Sequence, residues 1–333
     1  MHRGSRGLFP WFALLLLLVS APALHASFIV NYIDADGVGF YDAVYGASRR
    51  AALEYATSQW DTWLGGSDAV PIRIETGWAA LGTGVLGSSQ SSNLWRRDFT
   101  GAAVPNTWYG DALADRLHGS DLGGGAWDMR LTFSTNFTSW NYDYTLPDGG
   151  FAGLYDFTSV AMHEVGHGMG LWSSFNSSGG WGGGSGYPAA YDRFLEYQNG
   201  TDLIATNPAP DVTMNPGGGG AADNGIFWSG ANATAANGGN RAQIYAPGTW
   251  SGGSSLSHLD NIAFPGYLMT YAIGTSDERR TIDAITSSML GDLGWQRDTA
   301  YTPEPATLLL FGLGIGPVVV WRRRKQQAKR DAA

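Results

Sequence analysis

The sequence predicts an α+β fold in which a twisted mixed sheet packs over one central helix, with a long glycine-rich insertion after that helix. Strand-like segments occur at 28–32, 70–75 and 127–134, where apolar residues are continuous or alternate with polar ones. A helix is predicted to follow the last of these strands, near residue 156. Glycine runs then punctuate the chain up to about residue 253.

The helices are predicted in order from their apolar spacing and their end signals. The first covers 43–64 and ends at Gly65 and Gly66, which are poor helix formers. Its apolar positions have helical spacing and are Leu53, Ala56, Trp60, Trp63 and Leu64. Shorter helices are predicted at 111–117, 191–197 and 279–290, and Trp295 closes the domain.

Residues 163–167 form a His-Glu-x-x-His motif. An apolar run leads into it, with Asp156 or Thr158 as the N-cap, so a helix is expected there. On a helix, positions i and i+4 share one face, so His163 and His167 can bind one zinc ion. Glu164 lies one residue along and can act as general base toward a water molecule beside that metal.

A zinc hydrolase usually needs a third protein ligand. Glycines at 166, 168 and 170 predict that the helix ends soon after the second histidine, and the residue ten positions after His163 is Ser173, a poor zinc ligand. Three candidates remain: His258 in a downstream polar loop, Glu196 as a downstream carboxylate, and His118 before the motif.

The order of these residues resembles the metzincin zinc peptidases, in the arrangement of leishmanolysin-like members. The residues that carry the resemblance are His163, Glu164, His167, Gly170, His258 and Met269. The resemblance implies a zincin fold with His258 as the third ligand after an insertion of about residues 172–253. It also implies that Gly170 makes a tight turn and that Met269, in a methionine turn at 267–271, lies beneath the metal.

Two further interpretations depend on the same resemblance. Tyr271 is placed to touch the metal or stabilise an oxyanion, as in astacin-like and serralysin-like members, or else is a buried structural tyrosine. The strand at 127–134 either lines the cleft and pairs with an extended substrate, or is an ordinary interior strand. Independently of the resemblance, Trp181, Trp228 and Trp250 in the insertion either anchor loops or line a substrate groove.

The two ends of the chain predict export. Residues 1–26 have a basic start, an apolar core and small residues before Ala23 and Ala26, as in a signal peptide cleaved by signal peptidase. Residues 301–333 contain Pro303-Glu304-Pro305, a short apolar helix at 306–321 and an arginine cluster. This tail resembles the PEP-CTERM sorting signal of Gram-negative bacteria, which implies an exosortase partner. A permanent membrane anchor is the alternative.

Composition limits the partners. Residues 27–303 hold 12 Arg, no Lys and 27 acidic residues, a net charge of −15, which argues against a nucleic-acid partner. The chain has no Cys, so no disulfide partner is expected. The many Asp residues leave room for Ca²⁺, but Asp34-Ala35-Asp36-Gly37 lacks the later ligands of a calcium loop and is predicted to be a turn.

Together these observations predict a zinc-dependent metalloendopeptidase that is secreted or held at the cell surface, with residues 27–300 as its catalytic domain and proteins or peptides as substrates. Two alternatives stay open. One is a non-catalytic surface or biofilm-matrix binding protein on a metzincin scaffold. The other is a zinc hydrolase of a non-peptide amide or ester.

Overall fold

A four-stranded mixed sheet organises the first half of the chain. The computed structural model describes residues 28–65, 70–92, 98–180, 186–204 and 225–295. The sheet has the order β1-β2-β4-β3, with β1 (Phe28–Tyr32), β2 (Ile72–Ala79), β3 (Gly87–Ser91) and β4 (Met129–Ser134). Strands β1, β2 and β4 are parallel, whereas β3 pairs antiparallel with β4 and forms one edge of the sheet.

The three predicted strands are confirmed as β1, β2 and β4. The position of β4 decides whether segment 127–134 lines the cleft or is an interior strand. Strand β4 lies between β2 and β3, so the expectation that segment 127–134 forms the cleft-lining edge is wrong, and it is an interior strand. The edge strand is β3, in register from Gly87 opposite Phe133 to Ser91 opposite Met129. Its sequence, Gly-Ser-Ser-Gln-Ser, has no apolar alternation, so it gave no strand signal.

The described residues contain five α-helices. They are α1 (Gly46–Leu64), α2 (Asp111–His118), α3 (Phe157–Gly168), α4 (Ala231–Ala236) and α5 (Ala284–Leu293). Helix α1 begins three residues later than predicted because Asp42 accepts the backbone N–H groups of Val44 and Tyr45 in a turn. Helix α5 begins later than predicted because Asp283 is its N-cap and accepts from the N–H of Thr286.

The core lies where α1 packs against α3. All five apolar positions predicted for the first helix are buried, and the indole Nε1 of Trp60 donates to the carbonyl of Met162 at 3.0 Å. On the sheet side of α3, the ring of Phe157 stacks on Trp78 with centroids 5.5 Å apart. Helix α3 is therefore enclosed on two sides, which fixes the direction of its polar face.

Two smaller sheets complete the fold. Strands β5 (Trp140–Asn141) and β6 (Tyr155–Asp156) pair just before α3. In the insertion, β7 (Leu195–Tyr197), β8 (Ile226–Trp228) and β9 (Ala242–Gln243) form an antiparallel sheet. The helix predicted at 191–197 is a short 3-10 helix, Tyr191–Phe194, that continues into β7. Trp228 is fully buried and donates to Asp292 at 2.9 Å, as an anchor would.

The architecture is thus a mixed α+β fold, as predicted. Among the described residues, no helix is long and apolar enough to cross a membrane. The predicted leader at 1–26, the tail helix at 306–321 and Trp181 lie outside the described residues. Asp36 and Gly37 lie in a turn, as predicted, in which the N–H of Val38 donates to the carbonyl of Ala35 at 3.2 Å. The side chain of Asp34 accepts the N–H groups of Phe40 and Trp78 at 2.7 and 2.8 Å.

Candidate metal centre

Helix α3 presents the central motif from a rigid position. Its N-cap is Asp156, one of the two predicted candidates, which accepts the backbone N–H of Ser159 at 2.9 Å. The helix ends at Gly168, as expected, and Gly170 makes the predicted tight turn at φ +113°. The N–H of Gly170 donates to the carbonyl of His167 at 2.9 Å. The two histidines of the motif are therefore fixed one turn apart.

Three histidine rings converge in space. His258 Nε2 lies 3.1 Å from His163 Nε2 and 3.1 Å from His167 Nε2. One ligand nitrogen from each of the three rings lies within 4.8 Å of the other two. The three histidines could therefore hold a metal ion.

Each ring is oriented through its other nitrogen. The Nδ1 atoms of His163, His167 and His258 bond the carbonyls of Leu268, Leu171 and Ser254. A carbonyl only accepts, so each Nδ1 carries the proton and each neutral ring turns the lone pair of Nε2 toward the common centre.

This donor set fits zinc. Three Nε2 lone pairs cannot hydrogen-bond to one another, so their close approach needs another explanation. Zinc binds histidine nitrogens at about 2.0–2.1 Å in tetrahedral geometry, which places two such nitrogens about 3.3 Å apart. The observed separation of 3.1 Å from His258 Nε2 to each of the other two is close to that value. Burial lowers the pKa of His167 to about 4. Burial and the neighbouring His167 lower the pKa of His258 to about 3. The rings are therefore neutral near pH 7, which is the state that binds metal.

The other two candidates for a third ligand lie elsewhere. Glu196 is in β7 and forms an ion pair with Arg241. His118 ends α2, and its Nδ1 lies 2.8 Å from the hydroxyl of Ser120. Of the three, the structure brings only His258 to the pair on α3.

His258 is held by backbone pairing on both sides. Its carbonyl accepts the N–H of Tyr245 at 2.8 Å, and the next residue, Leu259, donates to the carbonyl of Met269 at 2.9 Å. Leu259 thereby bridges the segment after β9, at Ile244, and the methionine turn, at Thr270.

The sulfur of Met269 packs against α3 at Gly166, which lies between His163 and His167 in sequence. A Cβ on Gly166 would lie 2.6 Å from the sulfur of Met269, so only glycine allows this approach. The carbonyl of Leu268, one residue earlier, is the partner of His163. The methionine turn therefore supports the helix and orients one of its histidines.

Glu164 is buried beside the histidines, with 5% of its surface exposed. Burial raises the pKa of its carboxyl to about 8. A Cβ on Gly87 in β3 would lie 2.7 Å from Glu164 Oε1, so the carboxyl rests against the backbone of the edge strand. A divalent cation held by the histidines would favour the carboxylate and lower this pKa.

Tyr271 is not buried, so the interpretation as a buried structural tyrosine is wrong. Its side chain is 39% exposed and its ring stacks on Tyr245 with centroids 4.0 Å apart. The backbone N–H of Tyr245 is the one that donates to the carbonyl of His258. Tyr271 lines the cleft.

A cleft of about 1340 Å³ opens onto the three histidines and Glu164. One wall is the whole of β3, and another is the segment after the methionine turn, with Tyr271, Ile273 and Arg279. The sequence did not predict that β3 lines the cleft, because β3 has no apolar alternation. It also did not predict that Arg279 lines the cleft, because Arg279 was assigned only as the first residue of a helix. The one sequence feature that could have indicated Arg279 is a charged residue soon after the methionine turn.

The chain matches the PEP-CTERM protein-sorting motif over residues 302–325. No curated protein matches the chain. The motif confirms the sorting signal predicted for the tail. It indicates export and sorting to the cell surface or extracellular space of a Gram-negative bacterium, with processing by an exosortase.

Proposed function

We propose that this protein is an exported zinc metalloendopeptidase of the metzincin type. The observation that carries the proposal is that His258 Nε2 lies 3.1 Å from the Nε2 atoms of both His163 and His167, with the Glu164 carboxyl buried beside them in an open cleft. The methionine packed against Gly166 of α3 and the long segment before His258 support the leishmanolysin-like arrangement.

His163, His167 and His258 would hold the zinc. When bound, zinc supplies Lewis acidity, which makes a water molecule more acidic and a carbonyl more electrophilic. Glu164 accepts a proton from the attacking water and passes it to the departing amine. Its burial beside the cation keeps this proton transfer away from bulk solvent, and the carboxyl cannot swing toward β3 because the strand backbone stops it.

The edge strand β3 offers the proposed peptide substrate a strand to pair with along the cleft. Within the described residues, β3 pairs with β4 on one side, and its residues Gly87–Ser91 line the cleft. An extended peptide can add to such an edge through main-chain hydrogen bonds, which bind any sequence. This arrangement favours a peptide over a compact amide or ester.

The test is zinc content and casein hydrolysis by the purified wild type, Glu164→Gln, His258→Ala and His118→Ala. We expect one zinc and chelator-sensitive cleavage in wild type. The glutamine variant should keep zinc and lose about 10²–10⁴-fold in rate, since a general base contributes that much. His258→Ala should lose zinc affinity and activity, whereas His118→Ala, a histidine outside the centre, should resemble wild type.

Other outcomes favour the alternatives. Wild-type activity in Glu164→Gln contradicts the mechanism. Zinc binding without casein cleavage favours a hydrolase of a non-peptide amide or ester, or a surface binding protein. Unchanged zinc affinity in His258→Ala contradicts the assignment of the third ligand.

A further inference from the structure

Arg279 and Arg280, two adjacent arginines after the methionine turn, differ in whether a carboxylate neutralises their charge. Arg280 is buried, and its guanidinium binds both carboxylate oxygens of Asp156. It also donates to the carbonyls of Tyr144 and Leu146 at 2.6 and 2.7 Å, and Glu278 lies 3.8 Å away. Its charge is fully compensated, so its role is to tie this segment to the N-cap of α3.

Arg279 lacks such compensation. Its Nη1 donates to the hydroxyl of Thr270, and its buried Nε has no hydrogen-bond partner. In the described part of the chain, no carboxylate lies within ion-pair distance of its guanidinium. Asp277, which raises its pKa against the lowering effect of burial, accepts instead from the N–H of Gly274 at 3.0 Å.

The position of Arg279 is fixed relative to the metal centre. Its backbone N–H donates to the hydroxyl of Ser159, one helical turn before His163, at 2.7 Å. Its side chain bonds Thr270, two residues after the carbonyl that orients His163. Arg279 thus lines the cleft on the His163 side.

A partly buried guanidinium without a counter-ion is costly, and a planar carboxylate is its best-matched partner. We propose that Arg279 selects substrates with a carboxylate close to the bond that is cleaved, from an Asp or Glu side chain or from the chain terminus. This inference rests on the proposed peptidase function and names its substrate class. Because residues 27–303 carry a net charge of −15, the preference must come from this local cation and not from the overall field.

The test measures binding separately from cleavage. Zinc-loaded Glu164→Gln protein is titrated calorimetrically with alanine-rich octapeptides that carry one Asp at each position in turn, each matched by an Asn peptide. A second pair compares a free C-terminus with its amide. We expect at least one acidic peptide to bind 10-fold or more tightly than its neutral match, and the two sets distinguish a side chain from a terminus.

Adding Arg279→Gln should remove this difference, since glutamine can still donate to Thr270 but carries no charge. Arg279→Lys should keep part of it, and Arg73→Gln, at a partly exposed arginine outside the cleft lining, should leave it unchanged. Melting temperatures check that the variants fold.

Equal affinities for every acidic and neutral pair, absence of binding by all peptides, or a preference that survives Arg279→Gln would overturn the proposal. If acidic peptides bind preferentially but wild type cleaves none of them, carboxylate recognition holds and the peptidase function fails.

Discussion

At the scale of single residues, the absence of a side chain matters as much as the presence of one. Gly87 is the clearest case, because its bare backbone lets Glu164 lie against β3. A Cβ at residue 87 would lie 2.7 Å from Glu164 Oε1, 2.9 Å from Glu164 Cγ and 3.0 Å from a Val160 methyl, so the Glu164 side chain would have to shift. The proposed reaction depends on the position of its carboxyl.

Gly87→Ala should therefore reduce casein hydrolysis about 10²-fold, with zinc content close to wild type, because the new Cβ would lie 2.7 Å from Glu164 Oε1. Gly82→Ala is the matched control, since its Cβ would only touch a Val85 methyl at 3.5 Å. Full activity in Gly87→Ala would show that Glu164 does not need this position.

A second residue gives a prediction about pH. Asp128 is 2% exposed, and burial, with the neighbouring Asp115, Asp111 and Asp121, raises its pKa from 3.8 to about 7. The folded state keeps this proton while the unfolded state releases it, so the contribution of Asp128 to stability falls as pH rises from 3.8 to about 7. The slope is up to about 1.4 kcal/mol per pH unit.

Asp128→Asn should flatten this part of the stability curve and make the protein more stable than wild type above pH 7. An amide oxygen can still accept the N–H of Arg73, which Asp128 binds at 2.6 Å. Urea denaturation at a series of pH values measures the effect, with the exposed Asp36→Asn as the control. A variant less stable than wild type at pH 8 would be the opposite of this expectation.

At the scale of elements, α3 depends on two glycines that look unfavourable for a helix. Gly166 leaves room for the sulfur of Met269, and a Cβ on Gly168 would lie 2.3 Å from the sulfur of Met129. The helix thus loses some intrinsic propensity but gains close contact with the methionine turn on one side and β4 on another.

Gly166→Ala should destabilise the protein by about 1–3 kcal/mol through overpacking, despite alanine's higher helix propensity. Gly291→Ala in α5 is the control, because its Cβ would meet only the flexible amide of Asn232 at 3.4 Å. In a Met269→Ala background the cost of Gly166→Ala should shrink. Equal costs in both backgrounds, measured by denaturant unfolding, would show that the two residues do not interact.

The sequence predicted those elements that are determined by residues close together in the chain. The apolar spacing of α1, the cap and glycines of α3 and the pair His163 and His167 follow from neighbouring residues alone. Strand β3 could not be predicted, since only its pairing with β4 makes it a strand. His258 required the resemblance to a family, and the partly buried position of Arg279 in the cleft depends on segments that are distant in sequence.

At the scale of the whole molecule, the centre joins α3 to a segment about ninety residues later. A metal that binds only the folded state should stabilise the entire domain, by about 2.7 kcal/mol when free zinc is 100-fold above its Kd. Chelation of zinc should therefore lower the melting temperature of wild type and leave that of His258→Ala almost unchanged. An equal shift in both proteins would argue against a shared site.

The tail gives a prediction about location. Deleting residues 302–325 should abolish exosortase processing and surface sorting, because the matched motif is removed. Deleting residues 326–333, which lie after the motif, should leave both intact. Cell fractionation and the mass of the mature chain measure the outcome in a host that carries an exosortase. Normal sorting without the motif would contradict its role here.

The backbone bridge at Leu259 has a consequence for how this protein can diversify. His258 keeps its place through main-chain pairing with Tyr245 and the methionine turn, and main-chain pairing tolerates almost any side chain. The exposed loops between Leu171 and Tyr245 can thus lengthen, shorten or change their chemistry across generations while the centre stays intact. Selection can remodel the rim of the cleft and leave the reaction itself undisturbed.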